Sequence, residues 1–342
     1  MPAPATAQPF LFACCREGSE ASLKADVLRR HATLLTPAFM RPQLITWKAR
    51  APVDETFDLA TPFARVSGLS LGPCKTEAEV VEKITSRSLT RISLHVFPRV
   101  APEDGAIDWK ALDAIRDRVS TALQNAGITL DEAAEHVLSL IVDDKPEAAW
   151  FSGLRKRRAG DPLPCGGLPR IVLPSHAPSR AWLKAEQALA WRGWDKVDLS
   201  HQTALDLGCS PGGASLALLD RGMKVIGVDT GDMDESVLRH DSGGFRHLRV
   251  PLARLDTSKL PSTFDLLLCD INLAPPEVLP HIASLCQTCR VPRLILTLKL
   301  NHPTFEQRVD EFVGYIRSFA PGPVFVTQLA ANRREVCVMA GE

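Results

Sequence analysis

The sequence predicts an α/β protein whose C-terminal half forms a doubly wound, mostly parallel sheet. From about residue 201 onward, short apolar strand patterns alternate with helix patterns, which is typical of a parallel sheet covered by helices. The last two strand patterns, 324–329 and 335–339, follow each other without a helix pattern between them. We therefore expect the sheet to end in an antiparallel pair, and a smaller α+β domain to precede it.

A segment at 153–178 separates the two halves. It is basic at its start and then rich in Pro and Gly, a composition typical of connections rather than of regular structure. We therefore predict an α+β domain over 1–152, a linker over 153–178 and the α/β domain over 179–342.

The N-terminal half predicts a small sheet with helices beside it. Residues 18–31 have a helical pattern, with Ser19 at the cap position and Leu23, Val27 and Leu28 on an apolar face. The other expected elements are strands at 10–15, 42–49, 89–97 and 136–142 and helices at 76–86 and 108–125. Nothing in this half indicates catalysis.

The C-terminal half opens with a helix near Ser179 that contains Lys184 among packing residues. The strands expected after it lie at 203–207, 224–229, 245–250, 264–270, 293–300, 324–329 and 335–339, and the helices start near 212 or span 276–288 and 304–319.

The composition is that of an ordinary globular protein. It is 45% hydrophobic and 23% charged with a formal net charge of zero, so bulk electrostatics does not indicate a nucleic-acid partner. No apolar run reaches the roughly 18 residues that cross a bilayer, and "MPAPATAQPF" lacks the basic start of a signal peptide. These features predict a cytoplasmic protein.

Nine scattered cysteines do not form the pattern of a secreted disulfide framework, so we expect reduced thiols. Cys286 and Cys289 have the spacing of a metal or redox pair, but no second pair accompanies them. Buried packing is the favoured interpretation of both.

The stretch "ALDLGCSPGG" (204–213) predicts a cofactor loop. A strand ends beside Asp206, Gly208 allows a tight turn, and two further glycines let the backbone approach a ligand before a helix starts. Asp229 ends the next strand, where acidic residues bind ribose hydroxyls in nucleotide sites. The spacing is not that of the dinucleotide motif G-x-G-x-x-G. The candidate cofactor residues are Asp206, Gly208, Cys209, Ser210, Pro211, Gly212, Gly213 and Asp229.

A lysine lies near the end of the apolar strand pattern "RLILTLKL" (293–300). Lysine is among the residues least often buried, because removing an ammonium from water costs several kcal/mol unless it is paired or neutral. Lys299 and Asp270 both lie at carboxyl ends of predicted strands, where ligands bind in doubly wound sheets. We expect both side chains to point toward the cofactor.

The loop D-x-G-x-x-P-G-G resembles the S-adenosylmethionine loop of Rossmann-like methyltransferases, especially the FtsJ-type enzymes that methylate RNA ribose. That family carries a Lys-Asp-Lys-Glu tetrad. The resemblance implies that Lys184, Asp270, Lys299 and Glu335 are the catalytic residues. Because the leaving thioether of such a reaction is neutral, no oxyanion-hole equivalent is required, and we expect no metal.

The stretches "GLPRIVLPSHAPSRAWLKAEQA" and "DLGCSPGGASLALLDRGMKVIGVDTGDM" are similar to those of RlmM-type large-subunit ribosomal RNA cytidine 2′-O-methyltransferases. That family has a THUMP RNA-binding domain in its N-terminal half, and "CREGSEASLKADV" and "TPFARVSGLSLG" resemble its N-terminal pieces more weakly. The resemblance implies S-adenosyl-L-methionine as cofactor and RNA as partner. The candidate RNA contacts are Arg155, Lys156, Arg157, Arg158 and Arg180, although the run "LRKRRAG" is equally typical of a solvated loop.

The sequence departs from related methyltransferases after the third strand of the domain. Where an Asp often contacts the adenine, this chain has Val250 and Pro251, and Asp256 is the candidate replacement. Two alternatives stay open: a methyltransferase of a non-RNA substrate and a protein that binds cofactor or RNA without turnover.

We predict Lys299 as the general base. Desolvation and Lys184 favour its neutral amine, whereas Asp270 favours the ammonium, so the sequence leaves the direction of its pKa shift open.

Overall fold

The fold is taken from a computed structural model, which describes residues 9–145 and 148–342. The chain divides into two compact units. The first comprises the described residues up to Pro102 together with Ile107–Arg170, and the second comprises Glu103–Ala106 and Ile171–Glu342. No helix within the described ranges is long and apolar enough to cross a membrane.

The first unit contains a mixed sheet of eight strands among its described residues. Its strands are β1 (Phe10–Cys14), β2 (Leu35–Arg41), β3 (Leu44–Ala49), β4 (Val66–Cys74), β5 (Arg91–Pro98), β6 (Thr129–Leu130), β7 (His136–Val142) and β8 (Trp150–Lys156). Their order is β2-β3-β1-β4-β8-β7-β5-β6, with β5 parallel to β6 and β7 and the other pairs antiparallel.

The helices of this unit are α1 (Glu20–His31), α2 (Glu77–Thr85) and α3 (Trp109–Asn125). Side-chain caps start two of them: Thr76 accepts from the N–H of Glu79, and Asp108 accepts from the N–H of Ala111. Ser19 occupies the cap position of α1 but makes no side-chain cap bond.

The predicted start of the linker is wrong, because residues 153–156 belong to β8. This strand is interior, paired with β4 on one side and β7 on the other. Its sequence, "WFSGLRK", hides it: Gly153 is required because a Cβ there would overlap the ring of Phe12, and polar residues interrupt the apolar pattern.

The second unit contains a seven-stranded sheet in its described residues. The elements are α4 (Ala181–Arg192), β9 (Thr203–Leu207), α5 (Gly213–Asp220), β10 (Lys224–Val228), α6 (Glu235–Leu238), β11 (Phe245–Leu248), β12 (Leu266–Cys269), α7 (Pro275–Thr288), β13 (Leu294–Lys299), α8 (Pro303–Gln307), α9 (Val309–Arg317), β14 (Val324–Thr327) and β15 (Glu335–Ala340). The expected helix at 304–319 is two helices that meet at Arg308.

The strand order is β11-β10-β9-β12-β13-β15-β14. The first five strands are parallel, whereas β15 runs antiparallel to both β13 and β14. The predicted doubly wound, mostly parallel sheet with an antiparallel end is therefore confirmed.

This topology gathers the candidate residues at one edge of the sheet. Gly208 and Asp270 directly follow the neighbouring strands β9 and β12, and Lys299 ends β13. Because β15 is antiparallel, its first residue, Glu335, is paired in register with Lys299. The carboxyl edge of the parallel strands therefore carries residues from four segments of sequence.

Candidate active site

Four charged side chains form a closed ring at this edge, which we call the tetrad ring: Lys184, Asp270, Lys299 and Glu335. The Nζ of Lys299 lies 2.5 Å from Oδ1 of Asp270 and 2.7 Å from Oε2 of Glu335. The Nζ of Lys184 lies 3.0 Å from Oδ2 of Asp270 and also contacts Oε1 of Glu335. Each lysine thus bridges both carboxylates, through different oxygens.

Backbone contacts fix the ring members in place. Asp270 donates its N–H to the carbonyl of Leu207, at 3.0 Å, which holds it beside the end of β9. The N–H of Leu300, next to Lys299, donates to the carbonyl of Arg334 at 2.8 Å, so the start of β15 is tied to the end of β13. Lys184 comes from α4, which contacts β15.

The ring is largely removed from solvent, with side chains between 7% and 14% exposed. Burial opposes the charged forms, but the attraction between opposite charges outweighs it. Burial alone would lower the pKa of Lys299, yet Asp270 and Glu335 raise it above its usual value. Burial alone would raise the pKa of Glu335, yet Lys184 and Lys299 lower it to about 2.

The structure thus settles the direction that the sequence left open, because the resting Lys299 is an ammonium. The ring has a further neighbour that the sequence does not reveal: the buried amide of Asn332 donates to Oε1 of Glu335 at 3.3 Å. No motif marks Asn332, and only its place three residues before Glu335, in the connection to β15, could have indicated it.

The predicted cofactor loop lies between β9 and α5. Gly208 has a φ of +81°, and a Cβ there would lie 2.6 Å from Cγ1 of Ile271, so both conformation and space require glycine. Gly212 is the N-cap of α5 and Gly213 its first residue, so the loop leads into the N–H groups at the start of a helix. Cys209 is buried with its Sγ 3.6 Å from the sulfur of Met233.

The loop is tied to the end of β10. Asp229 accepts from the N–H of Ser210 at 3.1 Å and from the N–H of Gly231 at 2.8 Å, and the Ser210 hydroxyl donates to the carbonyl of Asp232. Pro211 accepts from the N–H of Asp234. In this structure, Asp229 therefore holds the loop in shape.

Asp206 is a buried carboxyl beneath the loop. Its Oδ2 accepts from the Ser215 hydroxyl at 2.7 Å, whereas its buried Oδ1 has no hydrogen-bond partner among the described residues. Burial raises its pKa to about 7, with help from Asp270 and Asp229. An unsatisfied buried acceptor beside a glycine loop fits a ligand that carries a hydrogen-bond donor, as the amino acid part of S-adenosylmethionine does.

Arg155 is misassigned as an RNA contact. Its side chain is 1% exposed and pairs with Asp161, so the guanidinium does not reach solvent phosphates. The reason is its place on the interior strand β8, where the residue faces the protein.

The other members of the basic run are at the surface, but each is engaged. Lys156 is 41% exposed and lies 2.7 Å from Glu135, and Arg158 lies 2.8 Å from Asp58. Arg157 donates to backbone carbonyls of the loop before β7. These three residues are accessible to a ligand that competes with local partners.

Arg180, at the N-cap of α4, belongs to the second unit and pairs with Glu103. Glu103 also lies 3.4 Å from Arg333, two residues before Glu335. Two guanidinium groups, from the start of α4 and from the connection before Glu335, thus share the Glu103 carboxylate.

The region after β11 gives no clear substitute for the missing adenine contact. Asp256 is exposed and accepts from the N–H and hydroxyl of Ser258, so it caps its own short turn. Residues of the metal-binding types form no suitable group of three or more in the part of the chain that the structure describes.

Comparison with known proteins agrees with this geometry. Residues 177–335 match the family described as FtsJ-like methyltransferase. A ribosomal RNA large subunit methyltransferase M from Pseudomonas entomophila is 32% identical over 228 residues, which are 63% of this chain and 61% of that protein. The protein of the same name from Thauera aminoaromatica is 26% identical over 315 residues, 88% of this chain and 78% of the relative.

The matches at higher identity are partial. The relative from Alkalilimnicola ehrlichii is 35% identical over 182 residues, which are 50% of this chain and 48% of that protein. The chain thus spans between about half and three-fifths of the length of the first two relatives.

Proposed function

We propose that this chain, whose residues 177–335 match the FtsJ-like methyltransferase family, methylates the 2′-hydroxyl of a ribose in RNA with S-adenosyl-L-methionine as cofactor. The observation that carries the proposal is the tetrad ring, since two lysines and two carboxylates meet beside the glycine loop. The finer proposal is that the substrate is large-subunit ribosomal RNA and the nucleotide a cytidine. The names of the relatives support the ribosomal substrate.

The cofactor supplies an electrophilic methyl group, and its thioether leaves as a neutral molecule. The residues proposed to hold it are Asp206, Gly208, Cys209, Ser210, Pro211, Gly212, Gly213 and Asp229. The open Oδ1 of Asp206 supports this assignment, because it is an acceptor that lacks a donor in the described structure.

A ribose hydroxyl is a poor nucleophile, so the site must orient it and remove its proton. Orientation in a closed site can contribute roughly 7–11 kcal/mol, and a placed base roughly 10²–10⁴-fold in rate. We assign the base to Lys299. Asp270 and Glu335 hold Lys299 as an ammonium at rest, so the ammonium first releases a proton to solvent and the neutral amine then accepts the proton of the ribose hydroxyl.

The other ring members orient the reactants. Asp270 and Glu335 fix the direction of the Lys299 amine through contacts of 2.5 and 2.7 Å. Lys184, held by the same two carboxylates, is placed to bind the oxygens of the target nucleotide. Electrostatic attraction keeps all four groups ordered before substrate arrives, which reduces the entropy lost on binding.

RNA recognition is proposed for the first unit, as a THUMP-like RNA-binding region. Lys156, Arg157 and Arg158 are its partly exposed cationic candidates. Contacts with phosphates should weaken as salt rises. A ribosomal substrate would place the protein in the cytoplasm, as the sequence predicts.

The test is methyl transfer from labelled cofactor to total RNA, followed by alkaline digestion. A 2′-O-methyl group protects the adjacent linkage from alkali, so label in alkali-resistant dinucleotides supports the proposal. Label that appears in protein or in alkali-labile nucleotides would contradict it. Mapping of the resistant linkages would identify the nucleotide.

A further inference from the structure

The connection between β14 and β15 is held by buried amide side chains. Gln328 and Asn332 lie in the connection, and Gln187 reaches it from α4; their residue exposures are 2%, 0% and 3%. Buried amides are costly unless they are hydrogen-bonded, so their partners indicate what they do.

Two of these amides hold backbone. Gln187 accepts from the N–H of Ala331 at 2.9 Å. Gln328 donates to the carbonyls of Arg333 and Glu335, at 3.0 and 3.2 Å. Both therefore fix the path of the chain into β15 without contacting a charged group of the tetrad ring.

Asn332 differs because it contacts a ring side chain. Its Oδ1 accepts from the N–H of Leu329 at 2.8 Å, and its Nδ2 donates to Oε1 of Glu335 at 3.3 Å. The hydrogen bond from Leu329 fixes the orientation of the Asn332 amide. The amide in that orientation donates to the Glu335 carboxylate. Glu335 thereby receives three side-chain donors: Lys184 and Asn332 on Oε1, and Lys299 on Oε2.

We propose that Asn332 is a positioning residue that locks the Glu335 carboxylate in the orientation that reaches both lysines. The inference rests on the proposed function, because Glu335 orients the base there. A carboxylate with a lysine on each oxygen could still rotate with them, whereas a third donor fixed to the backbone defines one orientation. The hydrogen bond also favours the ionised carboxylate.

Several charged or titratable groups face Glu335. They are Lys184 from α4, Lys299 from β13, Asp270 after β12 and Cys337 on β15 itself. Substitutions at Asn332 leave all of these groups in the chain. A change in the Glu335 titration therefore measures the effect of the Asn332 amide alone.

The test compares Asn332→Leu and Asn332→Asp with the matched control Gln328→Leu, in the full chain. Gln328→Leu removes an equally buried amide of the same connection that contacts only backbone. Carboxyl ¹³C NMR of the glutamate-labelled chain, with the Glu335 signal assigned by Glu335→Gln, follows ionisation without turnover. Thermal melts report folding of each variant.

Loss of a hydrogen bond to a charged group should raise the midpoint of the Glu335 titration by about one pH unit in Asn332→Leu. Asn332→Asp is nearly isosteric and is the second variant for the case that Asn332→Leu does not fold. It should raise the midpoint as well, because a second carboxyl then faces the first. Gln328→Leu should leave the Glu335 titration unchanged at a comparable loss of melting temperature. A Glu335 titration in both Asn332 variants that equals that of Gln328→Leu would overturn the proposal.

Turnover separates this inference from the proposed function. With RNA and labelled cofactor, Asn332→Leu should lower kcat about tenfold with little change in cofactor KM. The Asn332 variants could change the ionisation of Glu335 while the wild type fails to methylate RNA. That result would contradict the proposed function but support the positioning role of Asn332. Unchanged ionisation with normal RNA methylation would contradict only the role of Asn332.

Discussion

Lys299 and Arg155 are both cations inside strands of a sheet, yet the molecule uses them differently. Lys299 ends β13 at the carboxyl edge of the parallel strands, with its side chain 12% exposed between two carboxylates. Arg155 lies in the interior strand β8, 1% exposed against Asp161. One cation is paired at an edge where a ligand can bind, and the other is paired inside the protein.

The difference shows that local sequence does not predict whether a charged side chain is accessible to a ligand. Both residues follow apolar or small neighbours, as "TLKL" and "GLRK" show. Both strands are interior in their sheets, so the strand's surroundings decide the outcome. Lys299 ends a strand at the carboxyl edge of parallel strands, where ligands bind, whereas Arg155 precedes the last residue of an antiparallel strand and its side chain is packed inside the protein.

The largest expected effect is on catalysis at Lys299. Lys299→Met should lower the rate of methyl transfer about 10²–10⁴-fold, because a general base contributes that much. Cofactor affinity measured by calorimetry should change little. The matched variant Arg155→Met should keep the rate per folded molecule; similar losses in both variants would contradict the distinction.

The next effect is on stability at Arg155. Arg155→Met should lower the free energy of unfolding by about 1.5–3 kcal/mol, because the part-buried Asp161 loses its charged partner and keeps only the N–H of Arg158. Lys156→Ala removes an exposed pair and should cost no more than about 1 kcal/mol. Urea denaturation of both variants measures the difference, and equal midpoints would argue that Arg155 is not structural.

The third effect is a dependence of turnover on pH. Asp270 and Glu335 raise the pKa of Lys299 above its usual value, so the neutral amine is scarce at pH 7 and increases about tenfold per pH unit. The rate of the chemical step should therefore rise from pH 7 to pH 9 with a logarithmic slope near one. A flat profile in single-turnover assays would exclude Lys299 as the base.

The sequence predicts the fold where the strands are short and apolar. It predicts the site residues that lie at the ends of those strands. Asp270 and Lys299 were found because doubly wound sheets bind ligands at that edge. Glu335 needed the resemblance to a known tetrad, because it starts a strand. Asn332 was not found, since its hydrogen bond depends on how a connection folds rather than on any periodic pattern.

The same limits apply to the first unit. β8 was missed because Gly153 and Arg155 break the strand pattern, although packing against Phe12 requires the glycine. Burial of Arg155 depends on tertiary packing. A run of four basic residues has the same local sequence pattern whether its members are solvated or buried.

A smaller effect is expected at the buried carboxyl of Asp206. Its pKa is raised to about 7, so the folded chain binds this proton more tightly than the unfolded chain, where the pKa is about 3.9. The resulting stability is present below the unfolded value and is lost as pH rises through the folded value. Asp206→Asn does not ionise, so it should melt higher than wild type at pH 8 and closer to it at pH 5. An equal difference at both values would contradict the buried titration.

The smallest effect is expected at the exposed basic residues. Lys156→Ala should weaken RNA binding slightly and reduce the slope of log affinity against log salt by up to about 0.7, the value of one phosphate contact on a single strand. Lys224→Ala, at an exposed lysine of the second unit, is the control. An unchanged salt slope would remove Lys156 from the RNA interface.

The tetrad ring has equal numbers of positive and negative groups, so its field cancels at a distance. It therefore acts on atoms that touch it and contributes little to the diffusional approach of RNA, which depends on fields reaching about 8 Å or more at physiological salt. A substitution that neutralises one of the four residues leaves a net charge on the ring, and this charge attracts or repels approaching phosphates. The double variant Lys299→Met with Glu335→Gln keeps the ring neutral. It therefore removes the base without changing the electrostatic contribution of the ring to the association rate of RNA.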